Sequence, residues 1–325
     1  MQPPSMDPTE ITDERVSLST KPSATLATSH APARGETDVL IVFLNGLVLP
    51  RSCWLPIMAA VLRRLGNADA RPQMLAYDRF GQGDSDPDPL DDEPGKEPGY
   101  GHTVPDVIQD LYQLISQTMT AARPRVMFVA SSIGCALARL YTQKYPDTVA
   151  GMILLDSMMA NQNFIDMFPD PSAPGFDPGS LPEGITPEVM MDQRRRFRER
   201  FAPDVKNGEN LDRRNLRHLL PHSDLPLLRG YGEKSPFLTV VGHDKEYFAQ
   251  VSLEGDMKTP IAITTHYTQP TWDRYNEGLL KIAEANRVEG VIIAEGCGHF
   301  IPADDPDFVA GMAVEMLGKL AVETS

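Results

Sequence analysis

Ser132, His299 and one of two aspartates, Asp156 or Asp244, are of the residue types that carry out nucleophilic acyl chemistry. A serine hydroxyl is a weak nucleophile until an imidazole takes its proton, and that imidazole must be held in one tautomer by a carboxylate on its other nitrogen. Ser132 lies in RVMFVASSIG, residues 125–134, where the apolar run Val126 to Val129 has strand length. It is followed by CALARLY, whose small and apolar residues recur at helical spacing. The pattern predicts a strand, a sharp turn and a helix with a serine in the turn. Strand and helix nearly touch at such a corner, so the central residue is strained and the positions two away on either side must be small. This decides between the two serines. Ser132 is flanked by Ala130 and Gly134, whereas Ser131 would be flanked by β-branched Val129 and Ile133.

These residues need elements to place them. Asp156 closes the run Val149 to Leu155, Asp244 follows Phe237 to Val241 through Gly242-His243, and His299 lies in EGCGHFIP just after Val291 to Ala294. Parallel strands all end on the same side of their sheet, so four residues just past strand ends would lie along one edge. Val39 to Leu44 is continuously apolar, as expected of a parallel strand covered on both faces, and Met74 to Tyr77 gives another strand. Helices are predicted near Trp54 to Leu65, Val104 to Ala121, Thr271 to Ala285 and Pro306 to Leu320. Val107, Ile108, Leu111, Leu114 and Ile115 share one face of the second. Arg15 to Thr20 and Ala24 to Thr28 read as short edge strands joined by a turn at Lys21-Pro22-Ser23, and Asp86 to Gly101 as an exposed loop. The fold class is α/β: a mostly parallel, doubly wound sheet with a helical cap inserted between late strands.

Domain organisation follows from where the strand pattern stops. Residues 1–13 are polar and proline-rich and read as a disordered tail. Residues 14–156 and 236–325 carry the alternating core, and residues 157–235 form the insertion. The insertion opens with a proline-rich loop. It continues with a helix from Pro187 to Phe201, with Thr186 as N-cap, and a shorter helix near Leu211 to Leu220. An insertion of this length is usually functional. Its Met158, Met159, Phe164, Met167 and Phe168 either line an adaptable apolar pocket or dock the cap onto the sheet domain. Arg194, Arg195, Arg196, Arg198 and Arg200 form a cluster that reads first as a solvated face paired with acidic neighbours, and second as an anion site.

Composition excludes several classes. The net charge of −15 argues against a nucleic-acid partner, which requires clustered positive charge. No stretch approaches the ~20 apolar residues that span a bilayer, and the amino terminus lacks a secretory pattern, so a cytoplasmic location without membrane partners is expected. Cys53, Cys135 and Cys297 cannot build a disulfide framework or a spaced metal site, and each reads as a small packing residue. No cofactor or metal is called for, and oligomeric state is not encoded in any pattern here.

The motifs together resemble the α/β-hydrolase superfamily over roughly residues 36 to 320. ASSIG resembles its nucleophile elbow, with Ala130 for the first glycine of Gly-x-Ser-x-Gly. Asn45-Gly46 stands where the family has His-Gly, and DRFGQGDS, residues 78–85, is similar to a turn common beneath the site. The chain order Ser, Asp, His also fits. The resemblance implies Ser132 as nucleophile, His299 as base, and the N–H groups of Leu47 and Ile133 as an oxyanion hole. Most members place the acid after the strand that follows the cap, which here would be Asp244. The segments AGMILLDSMMANQNF and WDRYNEGLLKIAEANRVEGVIIAEGCGHFIPADDP resemble a branch with the acid one strand earlier, which favours Asp156. Epoxide hydrolases and haloalkane dehalogenases of this fold carry aspartate at the elbow, so Ser132 argues against those activities. What the resemblance implies is hydrolysis of an ester, lactone, thioester or C–C bond in a small apolar molecule. The alternatives are a receptor-like binder and a non-hydrolytic lyase or cyclase on the same fold.

Overall fold

The computed structural model describes residues 10–47, 49–119, 121 and 124–323. Its strands are β1 (Thr12–Leu18), β2 (Lys21–Ala31), β3 (Val39–Leu44), β4 (Gln73–Tyr77), β5 (His102–Thr103), β6 (Arg125–Ser131), β7 (Val149–Leu155), β8 (Leu211–Asp212), β9 (Phe237–His243) and β10 (Val288–Ala294). Eight of them form one sheet in the order β1-β2-β4-β3-β6-β7-β9-β10, and β5 pairs with β8 in a separate ribbon. β1 and β2 run antiparallel to their neighbours, and β4 through β10 along the sheet are parallel. Every residue of β3, β4, β6 and β7 is buried, which is why their sequences are apolar without alternation.

The helices are α1 (Leu55–Leu65), α2 (Val104–Thr118), α3 (Ile133–Lys144), α4 (Pro187–Phe201), α5 (Leu216–Leu219), α6 (Lys245–Glu254), α7 (Ile261–Ile263), α8 (Gln269–Leu279), α9 (Ile301–Asp304) and α10 (Pro306–Val322). Successive side chains of a strand point to opposite faces. In β3, Ile41 and Phe43 accordingly pack with Ile57, Val61, Val309 and Ala313 of α1 and α10. Leu40, Val42 and Leu44 pack with Leu111, Leu137 and Leu279 of α2, α3 and α8. Each such fully buried aliphatic side chain contributes ~1.5–3 kcal/mol.

Strand registers bring the site together. Leu44 lies opposite Ala130, Ser131 opposite Leu155, Leu155 opposite Val241, and Ala294 opposite His243. The residues immediately after β3, β6 and β7 therefore emerge side by side on one edge.

Several boundaries differ from those expected. Residues 1–9 of the expected tail lie outside the described residues, but Thr12 and Asp13 belong to β1, opposite His30 and Ser29. An edge strand is held by backbone pairing and needs little apolar character. Ser29 adds a hydrogen bond to the Asp13 carboxylate at 2.6 Å. Only Leu216–Leu219 of the second cap helix is helical, because Leu211–Asp212 is drawn into the ribbon with β5. The cap's apolar core, Ile165, Phe168, Met190, Phe197 and Ala202, also takes in Ile263 of α7, which follows β9. Residues beyond 235 thus complete the cap. α8 begins at Gln269, entered through a π-helical turn at Thr264–Thr268. No described helix is long and apolar enough to cross a membrane.

Candidate active site

Ser132 sits between β6 and α3 with φ 55° and ψ −121°, a conformation that L-residues adopt only under constraint. The constraint is close packing: a Cβ on Gly134 would run into the carbonyl of Leu44. Asp156 also has a positive φ, 42°. Two of the strained non-glycine residues therefore stand at adjacent strand ends.

The His299 Nε2 is 3.1 Å from Ser132 Oγ, and its Nδ1 is 2.6 Å from Asp156 Oδ2. With the proton on Nδ1 donated to Asp156, Nε2 is left to accept from the serine hydroxyl. Asp156 is fully buried, and burial alone would raise its pKa. The nearby His243 and His299 outweigh that effect and hold it below the ordinary carboxylate value. His243 is the second partner, its Nδ1 2.8 Å from Asp156 Oδ1. Burial disfavours a charge on His243, but the Asp156 carboxylate prevails and its pKa is raised.

Asp244 does not face His299. Its carboxylate caps α6, accepting from the N–H groups of Glu246 and Tyr247, and also from Gly296. The sequence has the dipeptide His243-Asp244 at the end of β9, and it is the histidine that turns toward the site. An aspartate just before a helix is the residue type that satisfies the helix's free N–H groups.

The loop after β3 is fixed from below. Asn45 Nδ2 donates to Tyr77 O and Gln82 Oε1, both at 2.9 Å, and Asn45 Oδ1 accepts from Trp54 Nε1 at 2.7 Å. Arg79 donates to the carbonyls of Asn45 and Gly46, each at 2.9 Å, and Gln82 also donates to Gly46 O. In a trans peptide the carbonyl of one residue and the N–H of the next point opposite ways. Pinning Gly46 O to Arg79 therefore turns the Leu47 N–H away from it. Ile133 is the first residue of α3, so its N–H has no intrahelical acceptor. The DRFGQGDS turn is thus structural, and what it supports is this loop.

A cavity of about 390 Å³ opens above Ser132. Leu47, Ile133, Met158, Phe164, Phe201 and Trp272 are among the side chains that make its wall largely apolar. Of the five apolar cap residues singled out in the sequence, Met158 and Phe164 line it. Met159 and Phe168 are buried in packing, and Met167 is half-buried against them. Of the arginine cluster, Arg200 borders the cavity; Arg195 and Arg196 pair with Asp192, and Arg194 donates to the carbonyls of Ile165 and Phe168. Arg213 and Asp256 are its other charged borders. The cavity wall also includes Phe248, Val251, Met257 and Thr264, which follow β9 in the part of the chain whose sequence pattern reads as core. Cys297 is buried, and burial pushes its thiol up to about 11.

A sequence model described as the Alpha/beta hydrolase family matches residues 41–312. No curated protein matches the chain by sequence. Among solved structures, the chain is similar to a laboratory-evolved variant of a potato epoxide hydrolase, with TM-score 0.56, 15% identity, and coverage of 95% of this chain and 99% of that one. An epoxide hydrolase from Vigna radiata gives TM-score 0.53 at 15% identity, covering 97% and 100%. A candidate lipase from Acinetobacter baumannii gives 0.54 at 14%, covering 97% and 93%. Identities this low speak to the fold alone.

Proposed function

The chain belongs to the alpha/beta hydrolase family, and on that premise we propose that it is a serine hydrolase acting on an apolar carboxylic ester, lactone or thioester. The observation that carries this reading is the unbroken line from Ser132 Oγ through the His299 ring to the buried Asp156 carboxylate. His299 Nε2 takes the hydroxyl proton as Ser132 Oγ bonds to the acyl carbon. The carbonyl π electrons move to oxygen, where the N–H groups of Leu47 and Ile133 stabilise the charge; each such donor is worth ~3–4 kcal/mol in comparable enzymes. Collapse breaks the bond to the leaving alcohol or thiol, which receives the proton from His299. Water then attacks the acyl-enzyme by the same sequence, releasing the acid and restoring Ser132.

The nucleophile separates this reading from that of the similar epoxide hydrolases. A carboxylate that opens an epoxide forms an ester, which water can cleave. A serine doing the same would form an ether, and turnover would stop. The largely apolar cavity supports an apolar acyl or alcohol group. The test is hydrolysis of p-nitrophenyl esters from acetate to dodecanoate by the wild-type protein. Turnover rising with chain length beyond acetate supports the proposal; no turnover of any ester or thioester overturns it.

A further inference from the structure

His243 has no part in the proton transfers just described, yet it is built into the same carboxylate. Asp156 is fully buried, and among the described residues its side chain has two hydrogen-bond donors, His299 on Oδ2 and His243 on Oδ1. His243 is the last residue of β9, is itself buried, and is held on its other sides. Its Nε2 lies 2.7 Å from Gln269 Nε2, its ring stacks on Phe248 with centroids 4.0 Å apart, and Trp272 meets it edge-on at 5.2 Å. The Asp244 carboxylate next in the chain is engaged in capping α6, and Asp273 pairs with Lys245.

We infer that His243 is a positioning residue, a fixed donor that sets the plane of the Asp156 carboxylate so that Oδ2 meets His299. The torsion that turns an aspartate carboxylate is soft and roughly two-fold, so one bond to His299 does not fix it. A second donor on Oδ1, carried by a rigid strand end, does. At a fully buried position water does not replace that donor, and its loss leaves a carboxylate oxygen unsatisfied as well as free to turn. His243 would then affect the rate of the step that needs an oriented base, with little effect on how tightly substrate is held.

This inference rests on the serine-hydrolase reading, and the experiment separates the two. Wild type, His243→Leu and His243→Asn are compared by p-nitrophenyl butyrate kinetics, by the rate of fluorophosphonate labelling and by melting temperature. Leucine removes the donor. The side-chain amide nitrogen of asparagine stands where the imidazole Nδ1 stood. The expected result is a kcat about ten- to a hundredfold lower in His243→Leu, since a small misplacement of reacting groups costs up to about that much. KM should stay near wild type, the melting temperature of His243→Leu should fall because a buried Asp156 oxygen loses its donor, and His243→Asn should recover most of kcat. Undiminished kcat and labelling in His243→Leu would overturn the inference while leaving the hydrolase reading intact. So would equal losses in both variants, with or without a fall in melting temperature, because the restored donor would then have no effect. A wild-type protein that neither turns over nor labels would overturn both.

Discussion

Arg79 and Glu209 are joined by two hydrogen bonds, Nε to Oε2 at 2.7 Å and Nη2 to Oε1 at 2.8 Å, with both side chains buried. Glu209 comes from the cap, and Arg79 also holds the carbonyls of Asn45 and Gly46. The pair therefore ties the cap to the loop that presents the Leu47 N–H. Removing one member of a buried ion pair strands the other charge and costs ~3–5 kcal/mol. Glu209→Gln is expected to lower stability by about that amount in denaturant titrations, and to reduce kcat by more than it raises KM. A stability loss with kcat unchanged would show that the tie holds the cap alone.

Gly46 has an ordinary backbone conformation, but a Cβ there would stand 3.3 Å from Ser132 Cβ. Gly46→Ala should leave the melting temperature almost unchanged while lowering kcat/KM roughly ten- to a hundredfold, since small displacements of reacting groups are costly. Equal activity in the two proteins would mean that the loop gives way without consequence.

Phe164 and Phe168 are four residues apart and have different surroundings. Phe164 lines the cavity, 6.1 Å from the Trp272 ring, whereas Phe168 is buried against Phe197 at 4.7 Å. Phe164→Ala should shift the preferred acyl length in a p-nitrophenyl ester series with a small change in melting temperature. Phe168→Ala should lower stability by ~3–5 kcal/mol with the preference retained. If the two variants exchange these effects, the assignment of lining and packing is reversed.

The corner at Ser132 is readable from sequence because its constraint is local: two small flanks, a strand before and a helix after. Asp156 and Asp244 are not separable that way. Each follows an apolar strand, and they are told apart only in three dimensions, where the Asp156 carboxylate reaches His299 and that of Asp244 turns to cap α6. The role of His243 is further out of reach, since it depends on a partner 87 positions away. How the segment after residue 235 packs is out of reach for a related reason. Periodicity marks where strands resume, but says nothing of whether α6 and α7 fold back over the cavity.

Glu323 accepts hydrogen bonds from Arg287 at 2.6 and 3.0 Å and from Lys234 at 2.9 Å, which lower its pKa from 4.5 to about 2. A folded-state pKa below the unfolded value stabilises the protein above pH 4.5, and that contribution is lost as pH falls toward 2. The site is partly open to solvent, so its contribution is ~1 kcal/mol. Glu323→Gln should be less stable than wild type by about that at pH 7, with the gap narrowing below pH 4. A gap that stays constant with pH would mean that the carboxylate charge is not its source.

Fluorophosphonate labelling followed by peptide mapping probes the proposed nucleophile, Ser132, without assuming a substrate. Modification is expected on the peptide containing Ser132, with its loss in Ser132→Ala and its persistence in Ser131→Ala. Labelling that survives Ser132→Ala would contradict it.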